Sequence, residues 1–339
     1  MQQRQQVTIA DIAAQAGVST ATVSYVLNNK PGKSISPDTV ARVMEAAQAL
    51  QYTPRGRVQH RSRSRNVGVV LEGVFSLPRN YIALQGVLDE LRPAGRNACI
   101  TDSLPDENGV PNYLTLYRTG AVCGIIYLGA DGRKLDPQWE NRIVAQNVPF
   151  VAYDCESGRH ISSVDLDYLQ GAYNLSSHIL QRGAAQLCYI RPEVDTRQER
   201  EREQGVLRAA FEAGLEPQIE QVPMQVYGHI LANNSAPLME ELFASILAPL
   251  PEDTGILLSW SGFVPSMLQV RAQLGRHNFL GAMAQANETP WLHERLWYSS
   301  LPARDLGREC VRSLLRLLDD PDDIDHKLLI PQIFPPATE

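Results

Sequence analysis

From Thr8 to Leu50 the apolar residues recur at helical spacing in three short bouts. Ile9, Ile12, Ala13 and Ala16 share one face of a first helix. Thr8 precedes it with Asp11 three positions on, the spacing at which a side chain and a backbone cap each other. Gly17 stops this helix, Val18 plugs the turn, and Ser19 caps a second helix whose Val23, Val26 and Leu27 face inward. Thr20, Ala21, Ser24, Tyr25 and Asn28 are left outward. A third helix starts at Ser36 with Pro37 in its first position and places Val40, Val43, Met44, Ala47 and Leu50 on its apolar side. Tyr52 and Pro54 close the unit. Such a unit is a helix-turn-helix head whose second helix enters a major groove, or a small structural cap of three helices.

After Asn66 the pattern changes to short runs rich in Val and Ile, separated by amphipathic stretches. VGVVLEGV, ACITDS, CGIIYLGA and PFVAYD form one series; AQLCYIRPE, TGILLSWS and the shorter NFLGAM form another. Runs of this kind spaced by helices predict parallel strands of βαβ units. Two doubly wound lobes follow, enclosing a cleft at the carboxyl ends of their strands.

Charge separates the two parts. The chain has 339 residues, is 44% hydrophobic and carries a net charge of -7, enough length and apolar content for two to three domains. The first 65 residues hold nine Lys/Arg against three acids, a balance of +6 that leaves -13 on the rest. A cationic head on an anionic body suits a domain that grips polyphosphate. The most basic window is 55–65, RGRVQHRSRSR, with five arginines and no acid. Cys99, Cys123, Cys155, Cys188 and Cys310 stand singly, without metal-ligand spacing, and are expected as buried thiols. The N-terminus lacks the apolar core of a secretion signal, and no run reaches the length of a membrane helix. The expected location is cytoplasmic and nucleoid-associated, with no membrane partner. No phosphate loop, metal cluster or Ser/His/Asp constellation is legible, so neither a cofactor nor catalysis is expected.

VTIADIAAQAGVSTATVSYVLN, followed by a third helix ending QYTP, resembles the head of the lac repressor (LacI/GalR) family. VDLDYLQGAYNLSSHILQRGAAQLCYI is similar to the family's sequence of Asp, Gly-Ala, helix, Leu-x-x-Gly and strand. The resemblance implies an all-α, lambda-repressor-like head on an α/β body like the periplasmic binding proteins. It makes Thr20, Ala21 and Tyr25 the base readers, with Thr8, Ser19, Thr22, Ser24 and Asn28 bonding phosphates or capping helices. Lys30 and Lys33 touch phosphates or merely keep a loop solvated. Many relatives have Arg at the place of Tyr25, and a phenol cannot make the bidentate contact of Arg to guanine. In the basic hinge, Arg61 takes the place of the leucine that relatives push into the minor groove. Arg55, Arg57, Val58 and Arg61 are expected to enter a narrowed minor groove, or the hinge is a flexible linker holding only phosphates.

By the same resemblance, 1–54 is the head, 55–65 the hinge and 66–339 the effector-binding and dimerisation domain. The chain is expected to cross between lobes near Gly183, Tyr298 and Asp323, giving one lobe of 66–182 with 298–322 and another of 183–297 with 323–339. The cleft Arg of relatives corresponds to Arg202, in R-x-x-G with Gly205 and ahead of the helix VLRAAFEAG. Arg202 is either a ligand anchor or one half of a surface salt bridge. Where relatives carry Asn-Asp and a later Asp, this chain has Trp260 and Ser261, and Met283. Glu72, Phe75, Tyr81, Asp102, Tyr127 and Asp154 stand at or just beyond strand ends, where cleft residues belong, and Asp167 and Gln170, in DYLQGAY, are better cleft candidates by position. Without carboxylates for hydroxyl groups, an ordinary sugar fits poorly; a flatter or more apolar molecule with an acidic group fits better. The function implied is a DNA-binding transcriptional regulator, a repressor that binds a near-palindromic operator as a homodimer under control of a small-molecule effector. The alternative is a regulator that needs no ligand or answers to a protein partner. A solute-binding transport protein and an enzyme on the same fold are the rivals from other classes.

Overall fold

The computed structural model describes residues 8–28, 35–50, 64–71, 78–129, 133–224, 236–283 and 296–336. The head consists of α1 (Ile9–Ala16), α2 (Thr20–Asn28) and α3 (Pro37–Ala49). Ile12, Ala13 and Ala16 of α1 meet Val23 of α2 and Val43 and Ala46 of α3 in one small core. The third helix corrects the sequence reading in part. Val40 and Met44 are exposed and Ala46 is buried. The buried stripe is centred on Val43, so Ala46 and Ala47 flank it while Val40 and Met44 fall on its outer edge.

The body is built on two six-stranded sheets. In the first, β1 (Asn66–Leu71), β2 (Asn97–Thr101), β3 (Ile125–Leu128), β4 (Phe150–Tyr153), β5 (Ser162–Leu166) and β11 (His326–Leu329) run parallel in the order β11-β5-β4-β3-β1-β2. The second contains β6 (Gln186–Pro192), β7 (Gln218–Val222), β8 (Thr254–Leu258), β9 (Leu280–Ala282), β10 (Trp297–Ser299) and β12 (Ile333–Phe334), in the order β12-β10-β9-β8-β6-β7. Its pairs are parallel except β10 with β12. Central strands such as β3, β4 and β8 are buried along their whole length, as expected of parallel strands covered by helices on both faces.

Among the described residues the helices of the body are α4 (Pro78–Leu91), α5 (Asn112–Thr119), α6 (Pro137–Ala145), α7 (Tyr168–Gln181), α8 (Arg197–Glu212), α9 (Ala236–Leu247), α10 (Val264–Gln273) and α11 (Ala303–Asp319). Their packing moves two of the three expected crossings. Ala172, Leu175 and Ile179 of α7 are buried with Leu187 and Tyr189 of the second sheet. The first crossing is therefore at Asp167, not near Gly183, which only ends a helix already in the second lobe. β11 pairs with β5, and β12 with β10. The last crossing thus lies at 330–332 rather than at Asp323. Between them the chain returns at 300–302, because β10 belongs to the second sheet and Leu306, Cys310, Val311 and Leu314 of α11 to the first lobe's core. The lobes are 66–166 with 303–329, and 168–299 with 333–334.

Glycines set the closest helix contacts. A Cβ on Gly307 would lie 2.0 Å from the Ala83 carbonyl oxygen, and one on Gly86 would lie 1.9 Å from that of Arg304, so α4 and α11 cross backbone against backbone. Gly205 does the same for α8 on α7, where a Cβ would meet the Leu169 carbonyl oxygen at 2.3 Å.

Candidate nucleic-acid interface and interlobe cleft

In the head each helix start is closed by its own side chains. The Thr8 backbone N–H and hydroxyl donate to Asp11 Oδ2, both at 2.7 Å, and the Asp11 N–H donates back to Thr8 Oγ1 at 3.4 Å. These bonds, the Thr8 hydroxyl first, hold the Asp11 carboxyl below its ordinary range. Gly17 ends α1 in the left-handed region, φ 66, which spares a side chain the strain of the turn. The Thr22 N–H donates to Ser19 Oγ at 3.1 Å, and the Thr39 N–H to Ser36 Oγ at 3.3 Å. Arg42 braces the turn by donating to the Ala16 carbonyl at 3.3 Å.

Thr8 and Ser19 are thus capping residues, with Thr22 sharing a hydroxyl contact with Ser19 at 2.8 Å. Thr20 and Ala21 at the start of α2 are exposed and Ser24 and Tyr25 half-buried, while Val23 is buried. Asn28 ends the helix. Lys30, Lys33, Arg55, Arg57, Val58 and Arg61 lie outside the described residues, as do Glu72 and Phe75 of the cleft series.

Between the lobes the structure assembles a buried polar chain. Asp154 directly follows β4, is fully buried and has a left-handed backbone, φ 46. Its Oδ2 pairs with Arg79 of α4 at 2.8 Å and accepts from the Tyr168 hydroxyl at 3.0 Å. Its Oδ1 accepts from Gln198 Nε2 of α8 at 3.1 Å and lies 3.7 Å from Arg197. Arg197 also donates to Asp165 of β5 at 3.2 Å. Burial raises the Asp165 carboxyl above its ordinary range. Gln198 and Arg197 belong to the second lobe, Asp154 and Asp165 to the first, so these bonds clasp one lobe to the other.

Arg202 continues the chain on the second-lobe wall. Its guanidinium lies over the Tyr168 ring, 4.6 Å from the centroid, and is paired with Glu199. Glu199 also accepts from Ser259 Oγ at 2.6 Å and from Trp260 Nε1 at 2.8 Å. The expectation that Arg202 precedes its helix needs correction: Thr196 caps α8, so Arg202 sits in its second turn and is buried.

Of the expected cleft residues, Asp154, Arg202 and Trp260 are brought together. Tyr127 packs against Tyr113 and Phe150 in the first lobe's core, with ring centroids 5.8 Å and 5.9 Å away. Met283 is buried in the cluster that holds Tyr189 and Leu257. Asp167 caps α7 through the Gln170 N–H at 2.8 Å, and Gln170 donates to Asn174 at 2.7 Å. Asp102 accepts from Leu104 and Asn112 at a loop, Tyr81 is 63% exposed, and Ser261 opens a short 3-10 turn. The reading missed Arg79, Tyr168, Arg197, Gln198 and Glu199. One signal was available, the spacing of Glu199 three positions before Arg202.

Among the described residues no group of His, Cys, Asp and Glu is placed to hold a metal ion, and no helix is long and apolar enough to cross a membrane. Residues 8–55 match the family model described as bacterial regulatory proteins, lacI family. Catabolite control protein A of Staphylococcus xylosus is 27% identical over 187 residues, 54% of this chain and 55% of that protein. The HTH-type transcriptional repressor PurR of Mannheimia succiniciproducens is 25% identical over 218 residues, 63% of each chain. The chain thus spans between about half and two thirds of the length of these curated relatives. Among solved structures, the lac repressor dimer bound to operator and the anti-inducer ONPF is similar with a TM-score of 0.63 at 18% identity, covering 97% of this chain and 98% of that one.

Proposed function

We propose that the chain is a sequence-specific DNA-binding transcriptional regulator of the lacI family, whose model residues 8–55 match. The observation that carries this reading is the head: three capped helices on one small core, of which Thr20, Ala21 and Tyr25 of α2 are no part. One head reads a short half-site, so the protein binds a near-palindromic operator as a homodimer and acts as a repressor. Thr20, Ala21 and Tyr25 face base edges; Ser24, Asn28, Lys30, Lys33 and the hinge residues Arg55, Arg57, Val58 and Arg61 supply backbone and minor-groove contacts. A small molecule in the interlobe cleft shifts DNA affinity by preferring one lobe arrangement. Catalysis is no part of this reading. The test is selection of DNA bound by the full chain from a random pool. A recovered near-palindrome, with affinity falling steeply as salt rises, supports it; recovery of unrelated sequences refutes it.

A second reading is supported by the clasp. Arg79, Arg197 and Arg202 are already paired with Asp154, Asp165 and Glu199, so the arginines of the cleft are engaged by its own carboxylates. On this reading the lobes hold their arrangement with no ligand. A metabolite screen by thermal shift on the full chain separates the two: stabilisation by one compound supports effector control, and none supports ligand independence.

A further inference from the structure

Glu199 is enclosed by more than one salt bridge. Its Oε1 accepts from the Arg202 guanidinium and from Trp260 Nε1 at 2.8 Å. Its Oε2 accepts from Ser259 Oγ at 2.6 Å and, more weakly, from the Tyr189 hydroxyl at 3.4 Å. The donors come from α8, from β6, and from the end of β8, and Glu199, Arg202, Ser259 and Tyr189 are each more than nine-tenths buried. An ionised carboxylate offers about four acceptor sites, and four donors converge on this one. Burial, then the Glu199 charge, pushes the Tyr189 hydroxyl well above its ordinary range, which keeps it a donor.

We propose that Arg202, Trp260, Ser259 and Tyr189 form a receptor for a single carboxylate, and that this chain fills it with its own Glu199. Arg202, held by that carboxylate, lies on Tyr168, whose hydroxyl reaches Asp154, so the seat is joined to the clasp between the lobes. An acidic effector group therefore finds Arg202 already engaged. Truncating Glu199 removes the occupant and leaves the donors, so the seat passes to a small free carboxylate. The seat stands on the contacts above; only its effect on DNA rests on the reading of the cleft as a control site.

The test uses the full chain, with acetate as the probe and chloride at equal ionic strength as the reference. Glu199→Ala is expected to melt below wild type and to regain about 3 °C or more, saturably, as acetate is added. Trp260 fluorescence should change over the same range. Acetamide, of the same shape but uncharged, should do nothing. Wild type and Glu199→Gln, whose side chain still fills the site, should not respond. If Glu199→Ala has no folded baseline, acetate should restore a cooperative transition. Equal behaviour of Glu199→Ala in acetate and chloride, or an undiminished response in Glu199→Ala/Arg202→Leu, overturns the proposal. Operator affinity is read separately. A loss in Glu199→Ala that acetate reverses joins the seat to DNA binding; acetate binding without any change in DNA affinity keeps the seat and refutes its role in control.

Discussion

At the scale of single residues, the head is held by caps that can be tested one at a time. Thr8→Ala removes both the acceptor for the Asp11 N–H and a donor to its carboxylate, and should cost about 1 kcal/mol, read as faster hydrogen exchange in α1. Because the Asp11 carboxyl is held below its ordinary value, its contribution is complete above the ordinary carboxylate range and disappears as pH falls through the lowered value. The α1 amides of wild type should stay protected into mild acid, and those of Asp11→Asn should be less protected already at neutral pH. If Tyr25 reads bases as proposed, Tyr25→Ala should lower discrimination at one or two base pairs by about 1–3 kcal/mol, measured as operator affinity against point-substituted sites. At this scale the sequence was informative about caps, which depend on neighbours three positions apart. It was poor on the cleft: TRQEREREQG looks like a solvated helix face, and only long-range packing shows that Gln198, Glu199 and Arg202 are buried. Tyr127 misled in the opposite sense, since a strand-end position does not say which face of the sheet the ring takes.

At the scale of elements, the contact of α4 with α11 shows which interactions carry weight. Arg304 and Arg308 pair with Asp89, and Arg312 with Glu90, along an accessible seam. Exposed pairs of this kind are each worth about 0–1 kcal/mol. The backbone approach at Gly86 and Gly307 leaves no room for a methyl group. Gly307→Ala should therefore destabilise by about 2–3 kcal/mol and Arg312→Ala by about 1 kcal/mol or less, measured by denaturant titration of each variant. The strands legible beforehand were the apolar ones, β1, β2, β3, β4, β6, β8 and the short β9. β5 was not, although every residue of it is buried. Its polar side chains find partners far along the chain: Ser162 Oγ accepts from the Asp325 N–H, Ser163 meets His326, and Asp165 meets Arg197. β7 and β12 are edge strands, the first with few apolar residues and the second only two residues long, which hides them for different reasons.

At the scale of the whole molecule, the clasp between lobes is expected to respond to pH. Burial raises the Asp165 carboxyl, so the charged form opposes folding. The stability linked to this group is greatest below the ordinary carboxylate value and is lost as pH rises through the raised one. Solution scattering of wild type should thus show the lobes loosening above the pH at which ordinary carboxylates titrate. Asp165→Asn, which stands in for the neutral carboxyl, should keep the tighter form as pH rises, and a wild-type scattering curve unchanged with pH would refute this. Two doubly wound lobes were evident from the rhythm of the runs, but their boundaries were not, because α7 follows β5 without any break in pattern. The path of the chain through the lobes also sets an order in time. The second lobe is inserted within the first, whose core lacks Leu306, Cys310, Val311 and Leu314 until α11 has been made. On the ribosome the head can fold almost at once, while the first lobe waits for nearly the whole message to be translated. A stop codon shortly before residue 303 would release a chain with the head complete and the first lobe's core unfinished; on the proposed reading it would reach DNA without the lobe arrangement proposed to control it.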